Sequence, residues 1–415
     1  MQAEIITIGD ELLLGQTVDT NSAWMGDELR QKGVAVNRVV SISDRPSEIK
    51  SALDEALLRV DFVLVTGGLG PTRDDVTKHT LADYFDTELV LNQPVLDRIT
   101  AWFEGRGLKM LPSNRDQALL PEACLVLPNP RGTAMGMWFD TQRGGREKVV
   151  VSMPGVPYEM KGLMVEEVLP RMQSKWSLPI RYQRTVLTQG IGESFLSSIV
   201  HEWEERLESR GIGIAYLPAP GQVRLRLSAT GEHARSLVDE AMNEFLNQAG
   251  EHVVADEGMT LEEALVAALG RAGANLSTAE SCTGGSIAAR LTAIPGSSAV
   301  FEGSIVAYAN AVKINSLGVD AQLIKSHGAV SEEVVRAMAE GVRTRLGTTY
   351  ALATSGIAGP GGGTASKPVG TIWIALASSN GTSSRCLQLG NHRGRNVART
   401  ALECMGWLLR ELRSE

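Results

Sequence analysis

The first 170 residues combine continuous apolar runs with segments of helical periodicity. Residues 4–8 (EIITI), 61–65 (DFVLV) and 148–155 (KVVVSMPG) are rich in apolar and β-branched residues, whereas residues 21–33 place apolar side chains on one helical face and end at a glycine. Strands that are apolar on both faces are typical of a parallel sheet covered by helices. The alternation therefore predicts a mostly parallel, three-layer α/β domain at residues 1–170.

The pattern changes in the next segment of the chain. A strand (RYQRTVLTQ) precedes a helix at 193–207, two strands surround residues 218–221, and a second helix at 234–249 leads into HVVA. This order, with a hairpin in its middle, is typical of a small split-βαβ arrangement. It predicts an α+β domain at residues 171–255.

A second α/β domain is predicted at residues 256–415. A helix at 261–269 precedes the strand NLSTAE, which leads directly into SCTGGSIAARL as a helix. The apolar strands SIVAYA, YALATS and TIWIALAS follow, and a closing helix spans residues 396–412. Strands and helices again alternate, which indicates a sheet with helices packed on it.

Composition and charge limit the kinds of binding partner and the cellular location that we expect for this protein. The chain has 415 residues, a formal charge of −8 and four cysteines without metal-ligand spacing. The acidic balance argues against a nucleic-acid partner and favours a small-molecule one. An acidic N-terminus and the lack of an 18-residue apolar run predict a cytoplasmic protein without membrane contact.

The segment TAESCTGG, residues 278–285, lies where a predicted strand becomes a helix. Free backbone N–H groups at such a junction bind a phosphate or an oxyanion, and Gly284 and Gly285 allow close approach. We take Ser281 as the candidate nucleophile, with Cys282 and Thr283 as further binding residues. Two alternatives stay open: Ser281 is only a helix N-cap, or Cys282 is the nucleophile.

A serine nucleophile needs a proton acceptor, and His327 is the one histidine near these segments. Tyr308 ends the predicted strand SIVAYA, and Lys313 follows on the next helix. A lysine kept neutral by burial, or a tyrosine polarised by that lysine, is the predicted base. The alternative is that Tyr308 is an ordinary strand aromatic and Lys313 a solvated charge.

A second glycine-rich segment, SGIAGPGGG at residues 355–363, is predicted to bind ligand through its backbone amides. Its candidate residues are Gly356, Ala358, Gly359 and Gly361. Arg395 and Arg399 lie four residues apart on one helical face and are predicted to hold a phosphate. A flexible loop and two solvated arginines are the alternatives.

The N-terminal domain has its own glycine-rich loop, TGGLGPTRDD at residues 66–75, directly after the strand DFVLV. Ligands bind at the carboxyl ends of strands in such sheets, and carboxylates beside glycines favour a phosphate with a divalent cation such as Mg²⁺. Asp44 and Asp75 are the predicted metal ligands, unless Asp74 and Asp75 merely begin a helix. The predicted ligand-binding residues are Gly67, Gly68, Gly70, Thr72, Asn129 and Thr133.

Together these motifs resemble the CinA family. TAESCTGG, GAVSEEVVRAMAEG and SGIAGPGGGTASKPVGTIWIA resemble its C-terminal domain, which is similar to nicotinamide mononucleotide (NMN) deamidase. The resemblance implies hydrolysis of NMN to nicotinate mononucleotide and ammonia without a cofactor, with Ser281, Tyr308 and Lys313 as functional groups. HRGRNVAR departs from the family, which more often has an acidic residue before its first arginine.

GDELLLG, TGGLGPTRDD, NPRGTAMG and PGVPYEM look like the molybdopterin-binding-like domain of the same family. The resemblance implies a cation-dependent ADP-ribose pyrophosphatase or a relic ligand-binding domain. The middle segment resembles the family's KH-like linker but lacks a GxxG loop, so we expect a spacer or a homodimer contact rather than RNA binding. A non-enzymatic accessory protein in competence or DNA repair, with pockets used for sensing, is the alternative function.

Overall fold

The computed structural model describes residues 1–72 and 75–414. The chain divides into two compact units. The first comprises Met1–Tyr182 with Thr230–Glu232, and the second comprises Gln183–Ala229 with His233–Glu415.

The first unit is built on one large sheet and one small one. Its strands are β1 (Gln2–Ile8), β2 (Ala35–Ile42), β3 (Phe62–Thr66), β4 (Leu89–Leu91), β5 (Leu119–Pro121), β6 (Leu125–Leu127), β7 (Gly136–Arg143) and β8 (Arg146–Met153). Its helices are α1 (Asp10–Leu13), α2 (Thr20–Gln31), α3 (Pro46–Arg59), α4 (Thr77–Tyr84), α5 (Gln93–Glu104), α6 (Pro112–Arg115), α7 (Pro157–Leu163) and α8 (Leu169–Lys175).

The large sheet has the order β2-β1-β3-β8-β7-β6. Its first four strands are parallel, β7 and β6 are antiparallel additions, and β4 pairs separately with β5. Alternate residues of β3 enter two different cores: Val63 and Val65 one, Phe62 and Leu64 the other. The sheet is therefore covered on both faces, which confirms the predicted three-layer, mostly parallel α/β fold.

The second unit contains a small antiparallel sheet and a larger mixed one. The small sheet has the order β10-β11-β9-β12. Its elements are β9 (Arg181–Gln189), α9 (Glu193–Ile199), α10 (His201–Ser209), β10 (Gly213–Ala219), β11 (Gln222–Thr230), α11 (Ala234–Ala249) and β12 (Val253–Ala255). The predicted α+β layout is confirmed, but the helix expected at residues 193–207 is two helices that meet at Val200.

The larger sheet has the order β14-β13-β15-β16-β17, with β14, β13 and β15 parallel and the last two strands antiparallel. Its strands are β13 (Leu276–Glu280), β14 (Phe301–Val306), β15 (Tyr350–Gly356), β16 (Thr371–Ser378) and β17 (Gly381–Gln388). Its helices are α12 (Leu261–Ala272), α13 (Ser286–Thr292), α14 (Asn310–Leu317), α15 (Ala321–His327), α16 (Glu332–Leu346) and α17 (Arg393–Ser414).

The three segments that carry the predicted site residues follow strands at the same edge of this sheet. The carboxyl ends of parallel strands meet at the same edge, so the segments that follow β13, β14 and β15 converge there. Ser281 follows β13, Tyr308 follows β14, and the glycine-rich segment begins at the end of β15. The fold thus gathers all three predicted elements of the site.

Two local predictions for this edge were wrong. Residues 281–285 form a turn and α13 begins only at Ser286, so Ser281 is not a helix N-cap. Strand β14 ends at Val306, which leaves Tyr308 in the connection to α14.

Among residues 1–72 and 75–414, no helix is both long enough and apolar enough to cross a bilayer.

Candidate functional site

Ser281 and Lys313 form a buried pair at the carboxyl edge of the larger sheet. Lys313 Nζ lies 3.0 Å from Ser281 Oγ, although the two residues are 32 positions apart. Lys313 is 1% exposed and Ser281 is 9% exposed. The backbone N–H of Ser281 donates to the carbonyl of Thr354 on β15, which fixes the turn that carries the hydroxyl.

The surroundings of Lys313 lower the affinity of its amine for a proton. Its Nζ donates to the carbonyls of Ala307, at 2.7 Å, and Tyr308, at 3.2 Å. Burial lowers the pKa of Lys313 because a charged ammonium loses hydration there. A neutral amine has two N–H groups and one lone pair, so with both N–H groups on carbonyls its lone pair faces the Ser281 hydroxyl. In its neutral form, Lys313 is thus placed to accept the proton of this hydroxyl.

Glu280 occupies the amino end of α13 in place of a ligand. This residue is fully buried, and its carboxylate accepts hydrogen bonds from the backbone N–H groups of Gly285, Ile287 and Ala288 at 2.9 to 3.1 Å. The positive end of the helix dipole is therefore already compensated by a carboxylate. The expected phosphate site at this helix end is corrected accordingly: these amides are taken.

The turn between Glu280 and α13 still offers donors next to the serine. Among the described residues, the backbone N–H groups of Cys282 and Thr283 donate to no backbone carbonyl, although the Cys282 N–H contacts its own Sγ. The turn closes through Gly285, whose φ of 97° lies in the left-handed region that favours glycine. These two amides directly follow Ser281 in the chain, and backbone N–H groups next to a nucleophile are common donors to an oxyanion.

Cys282 and Thr283 have distinct roles in this turn. Burial raises the pKa of the Cys282 thiol to about 11, which keeps it protonated and argues against the rival nucleophile. The hydroxyl of Thr283 pairs with that of Thr354 at 2.8 Å, tying the turn to β15. Both side chains are buried structural groups, and only their backbone N–H groups remain for a ligand.

The backbone carbonyl and the phenol of Tyr308 have different hydrogen-bond partners. Its carbonyl accepts from Lys313, whereas its phenol oxygen lies 3.1 Å from Nη2 of Arg393. Arg393 also donates to the carbonyl of Gly359 at 2.9 Å. The structure thus brings Ser281 and Lys313 together and places the Tyr308 phenol beside an arginine at the mouth of the site.

The glycine-rich segment is held by side chains from several elements. Asn396 is buried and donates to the carbonyls of Ala358, at 3.0 Å, and Gly390, at 2.7 Å. Lys367 donates to the carbonyls of His327 and Val330 at 2.8 and 2.7 Å. Gly356 ends β15, and Gly361 is exposed. Within residues 355–363, these contacts hold the carbonyl of Ala358, whereas residues 360–363 are exposed.

Arg395 and Arg399 do not share the surroundings of Arg393. Both are exposed. Arg399 lines a separate cavity of about 280 Å³ with residues of the β9–α9 connection and the β10–β11 hairpin, and lies 3.9 Å from Glu403. Arg393 is the arginine that contacts the loop and the phenol.

The first unit contains a cavity of about 410 Å³ at the carboxyl ends of its parallel strands. It is lined by all three candidate glycines of the loop after β3, together with Asp44, Asp75, Gln117, Thr133 and Glu159. A Cβ on Gly70 would lie 2.5 Å from Oδ2 of Asp75, so the loop packs directly on this carboxylate. The volume is that of an ordinary small-ligand pocket.

Four carboxylate side chains are among the residues that line this cavity. Burial and the neighbouring carboxylate of Asp10 raise the pKa of Asp44. Asp75 accepts from the backbone N–H and hydroxyl of Thr72, at 2.9 and 2.5 Å. Among the described residues, no three His, Cys, Asp or Glu side chains are grouped to hold a metal ion. Asp74 lies outside the described residues.

Asn129 supports the cavity without lining it. Its side-chain nitrogen donates to the carbonyl of Ala134 and to Glu159 at 2.8 and 2.6 Å, and its side-chain oxygen accepts from the N–H of Arg131. The polar atoms of this fully buried side chain are thus occupied. Asn129 holds Glu159, which does line the cavity.

Sequence reasoning missed four residues of these sites: Glu280, Arg393, Asn396 and Gln117. Glu280 carried one usable signal, since it is the only charged residue in the buried strand β13. Arg393 and Asn396 carried no such signal. Three arginines occur within seven residues of this part of the chain, and the sequence does not show which of them faces the glycine-rich loop.

Fold and site together define a modular α/β protein whose C-terminal module carries a buried serine–lysine pair. Residues 4–174 match the probable molybdopterin binding domain family, residues 183–255 the damage-inducible protein CinA KH domain, and residues 258–412 the CinA C-terminal domain. The chain belongs to the CinA family.

Full-length relatives support this assignment. The chain is 43% identical over 414 residues to a CinA-like protein of Cytophaga hutchinsonii, covering 99% of this chain and 98% of the relative. It is 42% identical over 403 residues to a CinA-like protein of Gloeobacter violaceus, covering 96% and 93%. Among solved structures, part of the chain is similar to the competence/damage inducible protein CihA from Agrobacterium tumefaciens: the identity is 38%, the TM-score is 0.36, and 37% of this chain and 93% of that chain are covered.

Proposed function

We propose that the C-terminal module hydrolyses the carboxamide of NMN to nicotinate mononucleotide and ammonia. The observation that carries this proposal is the 3.0 Å contact between the buried Lys313 amine and the Ser281 hydroxyl. A serine becomes a nucleophile when an adjacent base accepts its proton, and a lysine with a lowered pKa is such a base. Membership of the CinA family and the ordered TAESCTGG motif support the same reaction.

The reaction divides into two balanced steps. Ser281 Oγ attacks the carboxamide carbon while its proton passes to Lys313 Nζ, and the N–H groups of Cys282 and Thr283 stabilise the oxyanion. Lys313 then gives this proton to the leaving nitrogen, which departs as ammonia and leaves an acyl-serine ester. Water, deprotonated by the same amine, attacks the ester, and the proton returns to Oγ as the carboxylic acid product leaves.

Lys313 rather than Tyr308 is the base in this scheme. The amine contacts the nucleophile directly, whereas the phenol pairs with Arg393. Tyr308 is 62% exposed, so its ring and the Arg393 guanidinium are open to a substrate that enters from solvent. We assign this pair to the phosphorylated ribose, because a guanidinium binds phosphate oxygens well.

Release of ammonia from NMN by the purified full-length chain tests this function. Ser281→Ala is expected to remove the activity and Lys313→Met to lower it by about 10² to 10⁴. Ser286→Ala, which changes a nearby serine, is expected to keep it. An acyl adduct on Ser281, detected by mass spectrometry after rapid acid quench, would identify the nucleophile. Equal release by wild type and Ser281→Ala contradicts the proposal, and no release by any form favours a non-enzymatic accessory role.

A second activity is proposed for the first unit: cation-dependent cleavage of ADP-ribose to AMP and ribose 5-phosphate. The cavity that joins a glycine loop to Asp44 and Asp75 supports it. Mg²⁺ is usually held by one or two carboxylates together with substrate phosphates, so this oxygen donor pair fits such an ion. A bound cation would neutralise phosphate charge, while the loop amides orient the pyrophosphate against the two aspartates.

Asp75→Asn tests this assignment. The change keeps the size of the side chain but removes its charge, so cation-dependent ADP-ribose cleavage is expected to be lost. Asp86→Asn is the matched control, since Asp86 lies in the same unit but does not line the cavity. ADP-ribose cleavage that survives in Asp75→Asn, or that needs no divalent cation, would contradict the assignment.

A further inference from the structure

Gln117 lines the first-unit cavity with an unpaired side-chain oxygen. The residue is only 4% exposed. Its Oε1 is buried and accepts no hydrogen bond from the described part of the chain. A buried polar atom without a partner is unfavourable, and a ligand that donates to it would remove this cost.

The backbone around Gln117 is fixed from both sides. The residue lies in a 3-10 turn, Asp116–Ala118, which leads into β5. The Lys78 amine donates to the carbonyl of Asp116 at 2.7 Å, and the N–H of Asn92 donates to the carbonyl of Ala118 at 2.9 Å. The amide is therefore presented to the cavity by a rigid support, which is the arrangement expected of a recognition group.

We infer that Gln117 recognises the adenine ring of the nucleotide bound in this cavity. The inference rests on the proposed ADP-ribose site of the first unit. A carboxamide carries an acceptor beside a donor, and adenine presents its 6-amino donor beside ring-nitrogen acceptors, so the two edges pair through two hydrogen bonds. With the pyrophosphate on the Gly67–Gly70 loop, Gln117 supplies a side-chain amide for the base at another part of the cavity lining.

The test measures binding, not turnover. ADP and the diphosphate of purine riboside differ only in the 6-amino group, so calorimetry on the full-length chain isolates the bond to Gln117 Oε1. The wild type is expected to bind ADP about five- to ten-fold more tightly, which is the effect of one net hydrogen bond. Gln117→Met is expected to bind both nucleotides equally, and Gln142→Met, at an exposed glutamine of β7, is expected to keep the wild-type preference.

A stability measurement separates recognition from a structural role. If the amide is unpaired in the free protein, Gln117→Met leaves the unfolding midpoint without nucleotide unchanged or raises it. A clear fall in that midpoint, or equal affinity of the wild type for the two nucleotides, overturns the inference. ADP preference in a protein that does not cleave ADP-ribose would instead reject the pyrophosphatase proposal and leave the recognition intact.

Discussion

The burial of Lys313 explains the reactivity that we expect of its amine. The side chain is 1% exposed and its nitrogen contacts two carbonyls and one hydroxyl. Carbonyl oxygens tolerate either protonation state, but neither supplies the full negative charge that would hold an ammonium ion in place. Desolvation therefore lowers the pKa of the amine, and the lone pair that appears is directed at Ser281.

The lowered pKa of Lys313 predicts how the proposed deamidation of NMN depends on pH. The rate with subsaturating NMN should rise with pH through the lowered pKa of Lys313 and level off below pH 10.5, because only the neutral amine accepts the proton. Lys313→Met should lower kcat by about 10² to 10⁴, the usual contribution of a general base. A wild-type rate that begins to rise only near pH 10.5, the pKa of an ordinary lysine, would contradict the assignment.

The same shift predicts a linked change in stability. Since the folded-state pKa of Lys313 lies below its unfolded value, the unfolded chain binds more protons between the two values. The free energy of unfolding should therefore increase as pH rises from the lowered pKa to about 10.5. Denaturant unfolding of wild type and Lys313→Met at several pH values checks this, and the variant should lack the increase.

At the scale of elements, the junction between β13 and α13 is held by Glu280. A carboxylate from the last strand residue caps the helix, so the five residues between Glu280 and Ser286 form a closed turn instead of the first turn of the helix. That turn carries Ser281 and the Cys282 and Thr283 amides of the proposed site. In the proposed reaction, Glu280 would therefore act as a positioning residue.

Glu280→Gln should reduce kcat more than it changes KM. The amide nitrogen would face backbone N–H donors, and we expect a loss of about 2 kcal/mol of unfolding free energy from weakened charge-assisted bonds. Thr260→Ala is the control, because it removes the capping box of α12 at a cost of about 1 kcal/mol away from the serine. An equal kcat for the two variants would mean that Glu280 contributes only to stability.

The elements themselves were largely accessible from sequence. Apolar strands ending in glycines predicted both α/β sheets and the loops at their carboxyl edges, because strand and turn propensities are local. The start of α13 was not accessible, since a serine before two glycines looks like an N-cap while the true cap comes from the preceding strand. The antiparallel edge formed by β6 and β7 depends on pairing with β8, which is a tertiary property.

At the scale of the molecule, the middle and C-terminal modules share the second unit. Gln189 of β9 is buried, its Nε2 donates to the carbonyl of Leu402, and its Oε1 accepts from Arg410 at 3.2 Å. Gly406 lies against this side chain: a Cβ there would be 1.7 Å from Gln189 Oε1. The KH-like module is thus packed onto α17 rather than linked to it by a free tether.

Gly406→Ala should therefore destabilise the second unit by about 1 to 3 kcal/mol, because the added methyl displaces a hydrogen-bonded glutamine. Gly270→Ala in α12 meets nothing closer than 4.0 Å and should stabilise by about 0.5 to 1 kcal/mol, the usual gain from removing a helical glycine. Denaturant unfolding measures both. A stabilising Gly406→Ala would show that the contact with Gln189 is not maintained in solution.

Separate sites predict separable losses. Ser281→Ala should abolish ammonia release from NMN and leave ADP-ribose cleavage unchanged, whereas Asp75→Asn should do the reverse. Paired assays on the same preparations check this. Parallel loss of both activities in either variant would indicate one shared site or a general folding defect, which circular dichroism of that preparation distinguishes.

The seclusion of Lys313 has a consequence for chemical labelling. An amine of lowered proton affinity is more often unprotonated at neutral pH, which makes it intrinsically faster than surface lysines toward acylating reagents. Enclosure withholds it from them while the second unit is closed. The rate at which Lys313 is acylated would therefore report how often this part of the protein opens locally.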